Sequence, residues 1–212
     1  MFQNASADTD IRQRYVKVAL VGNPNSGKSS LFNSLTGLHQ KIANFPGVTV
    51  EKKIGHCRIY NSANGSATSF EVIDLPGTYS LYPKSPDERI PFEVLCDPEN
   101  ESHPDMVVLL VDGTNLKRSL FLASQVIDLK IPCIIALNMM DLVKKEGIDI
   151  QLDELERRLG VRILPINARN EIGIEELKQA LIHPIPVPEK DIFYTGDLSP
   201  KMLMSLRQAL KL

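Results

Sequence analysis

The chain has 212 residues, 43% of them hydrophobic, which suits one ordinary domain with a core of its own and at most a small appendage. A formal net charge of −2 and a pI near 6.1 give no electrostatic case for nucleic-acid binding. Three cysteines without C-x-x-C spacing (Cys57, Cys96, Cys133) and four scattered histidines argue against a disulfide framework and a zinc site, and read as the reduced thiols and ordinary histidines of a cytosolic protein.

No apolar run approaches the ~18 residues of a membrane span. Residues 1–14 are polar and lack an apolar h-region, so they read as a disordered tail rather than a signal peptide. Val16 to Val21 then has the β-branched make-up of a buried parallel strand. Gly22-Asn23-Pro24-Asn25-Ser26-Gly27-Lys28-Ser29 follows as a complete G-x-x-x-x-G-K-[ST] loop, and Ser30 to Thr36 opens a helix with Leu31 and Leu35 on one side. Strand, glycine loop and helix are the context in which this motif binds phosphate. Gly22 and Gly27 allow the backbone to wrap around phosphate oxygens, successive N–H groups form an anion nest, and the helix dipole adds to it. Lys28 would reach the β- and γ-phosphates, and the Ser29 hydroxyl would meet Mg²⁺. Residues 22–30 are therefore the candidate phosphate site.

Gly37 to Gly47 is a glycine- and proline-punctuated loop. Val48 to Tyr60 alternates apolar and charged residues, as an edge strand should, and a turn at Asn61 to Ser66 makes it a hairpin with the strand Ser69 to Asp74. That strand ends in Asp74-Leu75-Pro76-Gly77, a D-x-x-G motif. The Asp74 carboxylate would hold Mg²⁺ through water and the Gly77 N–H would meet the γ-phosphate. A short helix over Asp87 to Leu95 is expected despite Pro91. Met106 to Asp112 reads as the most apolar buried strand, Asn115 to Lys130 as a helix, and Cys133 to Asn138 as a second buried strand.

Asn138-Met139-Met140-Asp141 ends that strand and fits N-x-x-D, the guanine-reading motif. Asp141 would accept from the guanine N1–H and exocyclic amine, a donor pair that adenine lacks. Hydrogen bonds to a charged group, at about 1.5–3 kcal/mol, amount to roughly ten- to hundredfold discrimination. The alternative is an Asn/Asp pair that merely caps the next helix. Leu152 to Leu159 closed by Gly160 is a helix with its cap, Arg162 to Ile166 a short strand, and Ile174, Leu177 and Leu181 mark a last amphipathic helix. Asn167-Ala168 sits where such enzymes place a Ser-Ala whose backbone meets the guanine O6; Ala168 fits and Asn167 departs. Beyond residues 15–183, Pro184, Pro186 and Pro188 form a linker, and Ser199-Pro200 starts a helix to Leu212. That helix has no terminal cap and reads as cut from a longer chain, a docked terminus being the alternative. The whole predicts an α/β fold of Ras-like P-loop GTPase type, with a mostly parallel six-stranded sheet, one antiparallel edge strand and helices on both faces.

The chain also resembles the cytosolic G domain of the bacterial ferrous-iron transport protein B (FeoB) family. The resemblance covers roughly residues 15 to 182. It is carried by Gly22–Ser29, by Asn44-Phe45-Pro46-Gly47-Val48-Thr49-Val50-Glu51, by Asp74-Leu75-Pro76-Gly77-Thr78-Tyr79-Ser80-Leu81, by Asp112-Gly113-Thr114-Asn115-Leu116 and by Asn138–Asp141. It implies that Gly47, Val48 and Thr49 form a switch loop against the nucleotide, with the Thr49 hydroxyl completing Mg²⁺ coordination in the GTP state. It implies the nucleotide switch of a membrane iron transporter at the cytoplasmic face of the inner membrane, its partner the permease portion of the same polypeptide. A soluble GTPase of ribosome or tRNA biogenesis is the alternative. Such a protein would need a basic appendage, and none is visible.

Thr78 stands where Ras-like enzymes carry the Gln that orients the attacking water. Its short hydroxyl cannot reach that far, so slow intrinsic hydrolysis is expected unless another group contributes. By the resemblance, Asn25 matches an Asn that helps bind K⁺ beside the β- and γ-phosphates, where a cation would act as an arginine finger does; the alternative is an Asn that only shapes the loop. Asn25, Lys28, Thr49 and Gly77 are thus the catalytic set. Glu88 could position water, though a solvated carboxylate is the plainer reading. Met139 replaces the lysine of N-K-x-D, which predicts weaker nucleotide affinity and faster GDP release. No cluster resembling a ferrous site is apparent.

Overall fold

The computed structural model describes residues 15–37, 40–45 and 50–192. Strand β1 (Val16–Gly22) leads through the glycine loop into helix α1 (Lys28–Thr36). There follow β2 (Gln40–Asn44), β3 (Glu51–Tyr60), β4 (Ala67–Asp74), α2 (Pro86–Cys96) and β5 (Met106–Asp112). A 3₁₀ turn over Gly113–Asn115 enters α3 (Leu116–Ile127). The remainder is β6 (Cys133–Asn138), α4 (Met140–Lys145), α5 (Leu152–Leu159), β7 (Ile163–Pro165) and α6 (Ile174–Leu181).

The strands form one sheet in the order β2-β3-β4-β1-β5-β6-β7. β1 lies at its centre, parallel to β4 and to β5, and β6 and β7 continue in the same direction. Side chains alternate across the strand plane, so β1 alone feeds both cores. Val18 and Leu20 join Leu31, Phe32 and Leu35 of α1 and Leu177 and Leu181 of α6 on one face. Ala19 and Val21 join Ile90 and Leu95 of α2, Leu122 and Val126 of α3 and Leu159 of α5 on the other. Burial on both faces explains why β1, β5 and β6 read as unbroken apolar runs.

The sheet has seven strands, where the sequence pattern gave six. The addition, β2, lies inside the stretch read as loop, and β3 pairs antiparallel with both β2 and β4, so it is not the edge. Gln-Lys-Ile-Ala-Asn carries no strand pattern, and its one large apolar side chain, Ile42, is 60% exposed. The strand exists because β3 offers an open row of backbone groups to pair with.

Pro91 does not end α2. Ser85 caps the helix through the Glu88 N–H, Pro86 occupies the first turn, and Ile90, Phe92, Val94 and Leu95 are buried. That burial, at about 1.5–3 kcal/mol per large side chain, exceeds the ~3 kcal/mol penalty of an interior proline. α3 stops at Ile127, short of the expected Lys130, which takes a left-handed φ of 61°. The chain from Lys190 to Ile192 is tied back to the domain. Lys130 Nζ donates to the Lys190 carbonyl at 2.6 Å and pairs with Asp191 at 2.8 Å, and the Ile192 N–H donates to Asp128 at 2.7 Å. Burial pushes the thiols of Cys57 and Cys133 up to about 11 and about 12, which keeps them protonated. The expected tail (1–14), residues 46–49 and the helix beyond Ser199 lie outside the described residues.

Candidate nucleotide site

The C-terminal ends of β1, β4, β5 and β6 bring three of the motifs to one edge of the sheet, where open α/β sheets bind ligands. The glycine loop leaves β1 with Asn25 at φ 63° and Gly27 at φ 96°. Asn is among the few residues that tolerate this left-handed region, which favours the loop-shaping part of its role, and its side chain is exposed. α1 begins at Lys28 with no side-chain cap, so its first N–H groups face the loop without a protein side chain on them. Ser29 and Ser30 are exposed in that first turn. The two motif glycines serve close packing as well. A Cβ on Gly22 would lie 2.8 Å from both the Leu110 carbonyl oxygen and Ser26 Oγ, and one on Gly27 would collide with the Asn138 amide.

The D-x-x-G segment folds directly over this loop. The Thr78 N–H donates to the Gly22 carbonyl at 3.3 Å, and a Cβ on Gly77 would stand 2.9 Å from Pro24 N and 3.2 Å from Lys28 Nζ. Gly77 is therefore obligatory for contact rather than for φ. Lys28 and Asp74 face each other across this junction. Burial lowers the Lys28 ammonium and Asp74 draws it back up; burial raises the Asp74 carboxyl, with Lys28 and Lys53 opposing. Asp74 Oδ1, Asn23 Oδ1, Ser26 Oγ and Asn167 Nδ2 are buried with no hydrogen-bond partner among the described residues. Buried polar atoms are normally satisfied; with Ser102 Oγ there are five such atoms among the described residues, and these four belong to the motifs. The unpartnered Asp74 carboxylate oxygen is a hard-oxygen donor of the kind Mg²⁺ takes with phosphate and water.

Asn138 joins the halves of the site. Its Nδ2 donates to the Ser26 carbonyl at 2.8 Å and its Oδ1 accepts from the Ala168 N–H at 2.9 Å. The phosphate loop and the loop after β7 are thereby fixed to β6. The Ala168 N–H expected on the base thus already has a partner, and Ser34 Oγ donates to the Ala168 carbonyl at 3.4 Å. Asn167 accepts from the Asn170 N–H at 3.1 Å. Met139 adopts φ 63°, ψ 31° as the residue before α4, and Asp141 is exposed in the first turn of that helix. A left-handed non-glycine residue costs of order 1–3 kcal/mol and clusters at functional sites.

One residue passed over in the sequence, Ser119, and one weighed there, Glu88, have clear positions. Ser119 of α3 accepts from Asn23 Nδ2 at 3.5 Å and from the Asp112 N–H at 3.3 Å, linking the loop to β5. Glu88, weighed in the sequence as a water-positioning or a solvated carboxylate, takes part in a helix cap. Its carboxylate accepts from the Lys84 N–H at 2.9 Å while its own N–H donates to Ser85 Oγ, a variant of the capping box in which the return bond goes to the residue before the N-cap. The signal, Ser85-x-x-Glu88, was in the sequence. Pro46, Gly47, Val48 and Thr49 lie outside the described residues.

A central β1 between parallel neighbours, a phosphate loop into α1, D-x-x-G after β4 and N-x-x-D after β6 define a Ras-like G domain of the P-loop class. The family model FeoB_N, described as ferrous iron transport protein B, matches residues 16–181, and the chain belongs to that family. It is 42% identical over 164 residues to the Fe(2+) transporter FeoB of Shigella flexneri, covering 77% of this chain and 20% of that protein. With the Salmonella typhimurium transporter the identity is 41% over the same coverage. Among solved structures, the cytosolic domain of L. pneumophila FeoB superposes with a TM-score of 0.72 at 41% identity, covering 82% of this chain and 66% of that one. The G domain of the T. maritima FeoB iron transporter superposes with a TM-score of 0.69 at 40% identity, covering 80% and 98%. The chain thus spans about one fifth of the length of the curated relatives it matches.

Proposed function

We propose that this chain binds GTP and GDP and hydrolyses GTP, serving as the cytosolic nucleotide switch of a membrane ferrous-iron transporter. The observation that carries the reading is Asn138. One side chain ties the phosphate loop, through Ser26, to the loop at the base-reading end, through Ala168, and positions the N-x-x-D motif between them. Lys28, the N–H groups of Asn23 and of residues 25–30, and Gly77 take the phosphates. Ser29 and Asp74, the latter through water, hold Mg²⁺ with Thr49 completing the set, and Mg²⁺ supplies neutralisation of phosphate charge. Leu75 and Pro76 set the D-x-x-G backbone, Gly47 and Val48 flank Thr49, and Met139, Asp141, Asn167 and Ala168 enclose the guanine. The T. maritima relative has been solved in GDP and GMPPNP forms, which supports guanine-nucleotide binding by this chain.

Asn25 holds K⁺ in this reading, offering its amide oxygen beside the phosphates while its left-handed backbone turns the loop. The G domain read from the sequence occupies 15–183, and the segment from Lys190 to Ile192 packs back onto it. The permease portion of the same polypeptide is its partner, which places the domain at the cytoplasmic face of the inner membrane. Among the described residues no helix is long and apolar enough to cross a membrane, and no group of three or more His, Cys, Asp and Glu side chains could hold a metal ion. In this reading iron is cargo for another part of the protein.

The test is fluorescent-nucleotide titration and phosphate release with Mg²⁺ in K⁺ or Na⁺. GDP should compete far better than ADP, and hydrolysis should be faster in K⁺. Equal affinity for ADP would refute the guanine reading. Equal rates in K⁺ and Na⁺, or Asn25→Ala unaffected in K⁺, would remove potassium from it.

A further inference from the structure

The segment after D-x-x-G is held by α3. Gln125 Oε1 accepts from the Leu81 N–H at 2.8 Å and from Ser80 Oγ at 3.2 Å. Seven residues earlier on the same helix, the Arg118 guanidinium lies 3.7 Å from the centre of the Tyr79 ring. Thr78 closes the network from within: its hydroxyl donates to the Ser80 carbonyl at 2.7 Å and accepts from the Ser80 N–H at 3.3 Å, and the residue is fully buried. At the other end of this short stretch, the Thr78 N–H sits on the Gly22 carbonyl and Gly77 sits on Pro24 and Lys28.

Thr78 is thus an anchor, and no side chain from its position reaches the reacting phosphate. Where a Ras-like enzyme fixes its water with a residue of this segment, this chain has only the backbone around Gly77 to offer, and that backbone is as well placed as the contacts behind it. We infer that Gln125, assisted by Arg118, is a positioning residue for hydrolysis: it holds Ser80 and Leu81 on α3 and so sets Gly77 over the phosphate loop. This rests on the GTPase reading above. The acceptor identity is fixed chemically, because a backbone N–H can be met only by the amide oxygen. A carboxylate at 125 would retain that acceptor, and an aliphatic side chain of similar size would not.

The experiment uses the full chain with GTP, Mg²⁺ and K⁺, and reads single-turnover hydrolysis beside fluorescent-GDP affinity. Gln125→Leu leaves the buried Leu81 N–H unpaired and should slow hydrolysis about tenfold, the scale of one lost buried hydrogen bond, with GDP affinity within about twofold of wild type. Gln125→Glu should recover most of the rate and restore slow hydrogen exchange at the Leu81 amide. An unchanged rate in Gln125→Leu, a fall in rate matched by an equal fall in GDP affinity, or a Gln125→Glu rate as low as that of Gln125→Leu overturns the inference. Should Gln125→Leu fail to fold, exposed Arg118→Met takes its place. Loss of its stacking should slow hydrolysis about threefold at constant GDP affinity, and no slowing overturns the inference. Wild-type protein that binds no guanine nucleotide would sink the GTPase reading itself, an outcome distinct from all of these.

Discussion

Asn138 concentrates more of the site in one side chain than any other residue described. Asn138→Ala removes both hydrogen bonds and leaves the Ala168 N–H and Ser26 carbonyl unpaired around a small void. A stability loss of about 2–3 kcal/mol is expected, read by urea denaturation, together with at least ~10-fold weaker GDP binding. Asp74 should behave in the opposite sense. Burial holds its carboxyl above the ordinary value in the folded protein, with Lys28 and Lys53 offsetting only part. Stability tied to the neutral form is then fully present below the unfolded value of about 3.9 and is lost as pH rises through the folded value. Asp74→Asn stays neutral, so without nucleotide or Mg²⁺ its melting temperature should exceed that of wild type by a margin that widens from pH 4 to pH 7. A constant or shrinking margin would contradict this, and Mg²⁺-dependent nucleotide binding should fall in the same variant. The glycines and Lys28 were legible in the sequence because the motif is contiguous. Asn138 was legible only as part of a base-reading motif, since its partners lie 112 and 30 residues away in the chain.

The elements that sequence pattern recovers are those that bury something. β1, β5 and β6, covered on both faces, announce themselves as apolar runs, and α6 shows its stripe at Ile174, Leu177 and Leu181. In β2 Ile42 is exposed, and the six-residue α4 fully buries one side chain, Val143; β2 is held by the edge of β3 and α4 follows the turn at Met139. α2 illustrates the converse: its proline argued against a helix, while the Ser85–Glu88 box argued for one, and the box with the buried face prevailed. Glu88→Ala should therefore lower stability by about 1 kcal/mol through the cap. Its hydrolysis rate should stay within about twofold of wild type, as the carboxylate is engaged with the Lys84 N–H. A rate loss without a stability loss would return Glu88 to the reacting phosphate.

For the molecule as a whole, the stretch from Lys190 to Ile192 belongs with the domain rather than with a free linker. It crosses from α5 to the end of α3 and brings Ile192 against the core under α2, α3 and α5. A chain ended at residue 183 should lose about 1–3 kcal/mol of stability relative to one ended at 192, measured by denaturant unfolding, with GDP affinity unchanged. Proline spacing hid this, because Pro184, Pro186 and Pro188 look like punctuation whether or not the chain beyond them packs.

The central place of β1 has a kinetic consequence. It pairs with nothing near it in sequence: Val16 stands beside Phe70 and Val18 beside Met106, both in parallel register. Parallel, non-local pairing requires large loops to close before any ladder forms. During synthesis, then, the glycine loop cannot take its shape until both β4 and β5, which flank β1, have been made. Nucleotide can recognise the chain only late in folding, and acts on the finished protein by slowing its unfolding rather than by guiding its assembly.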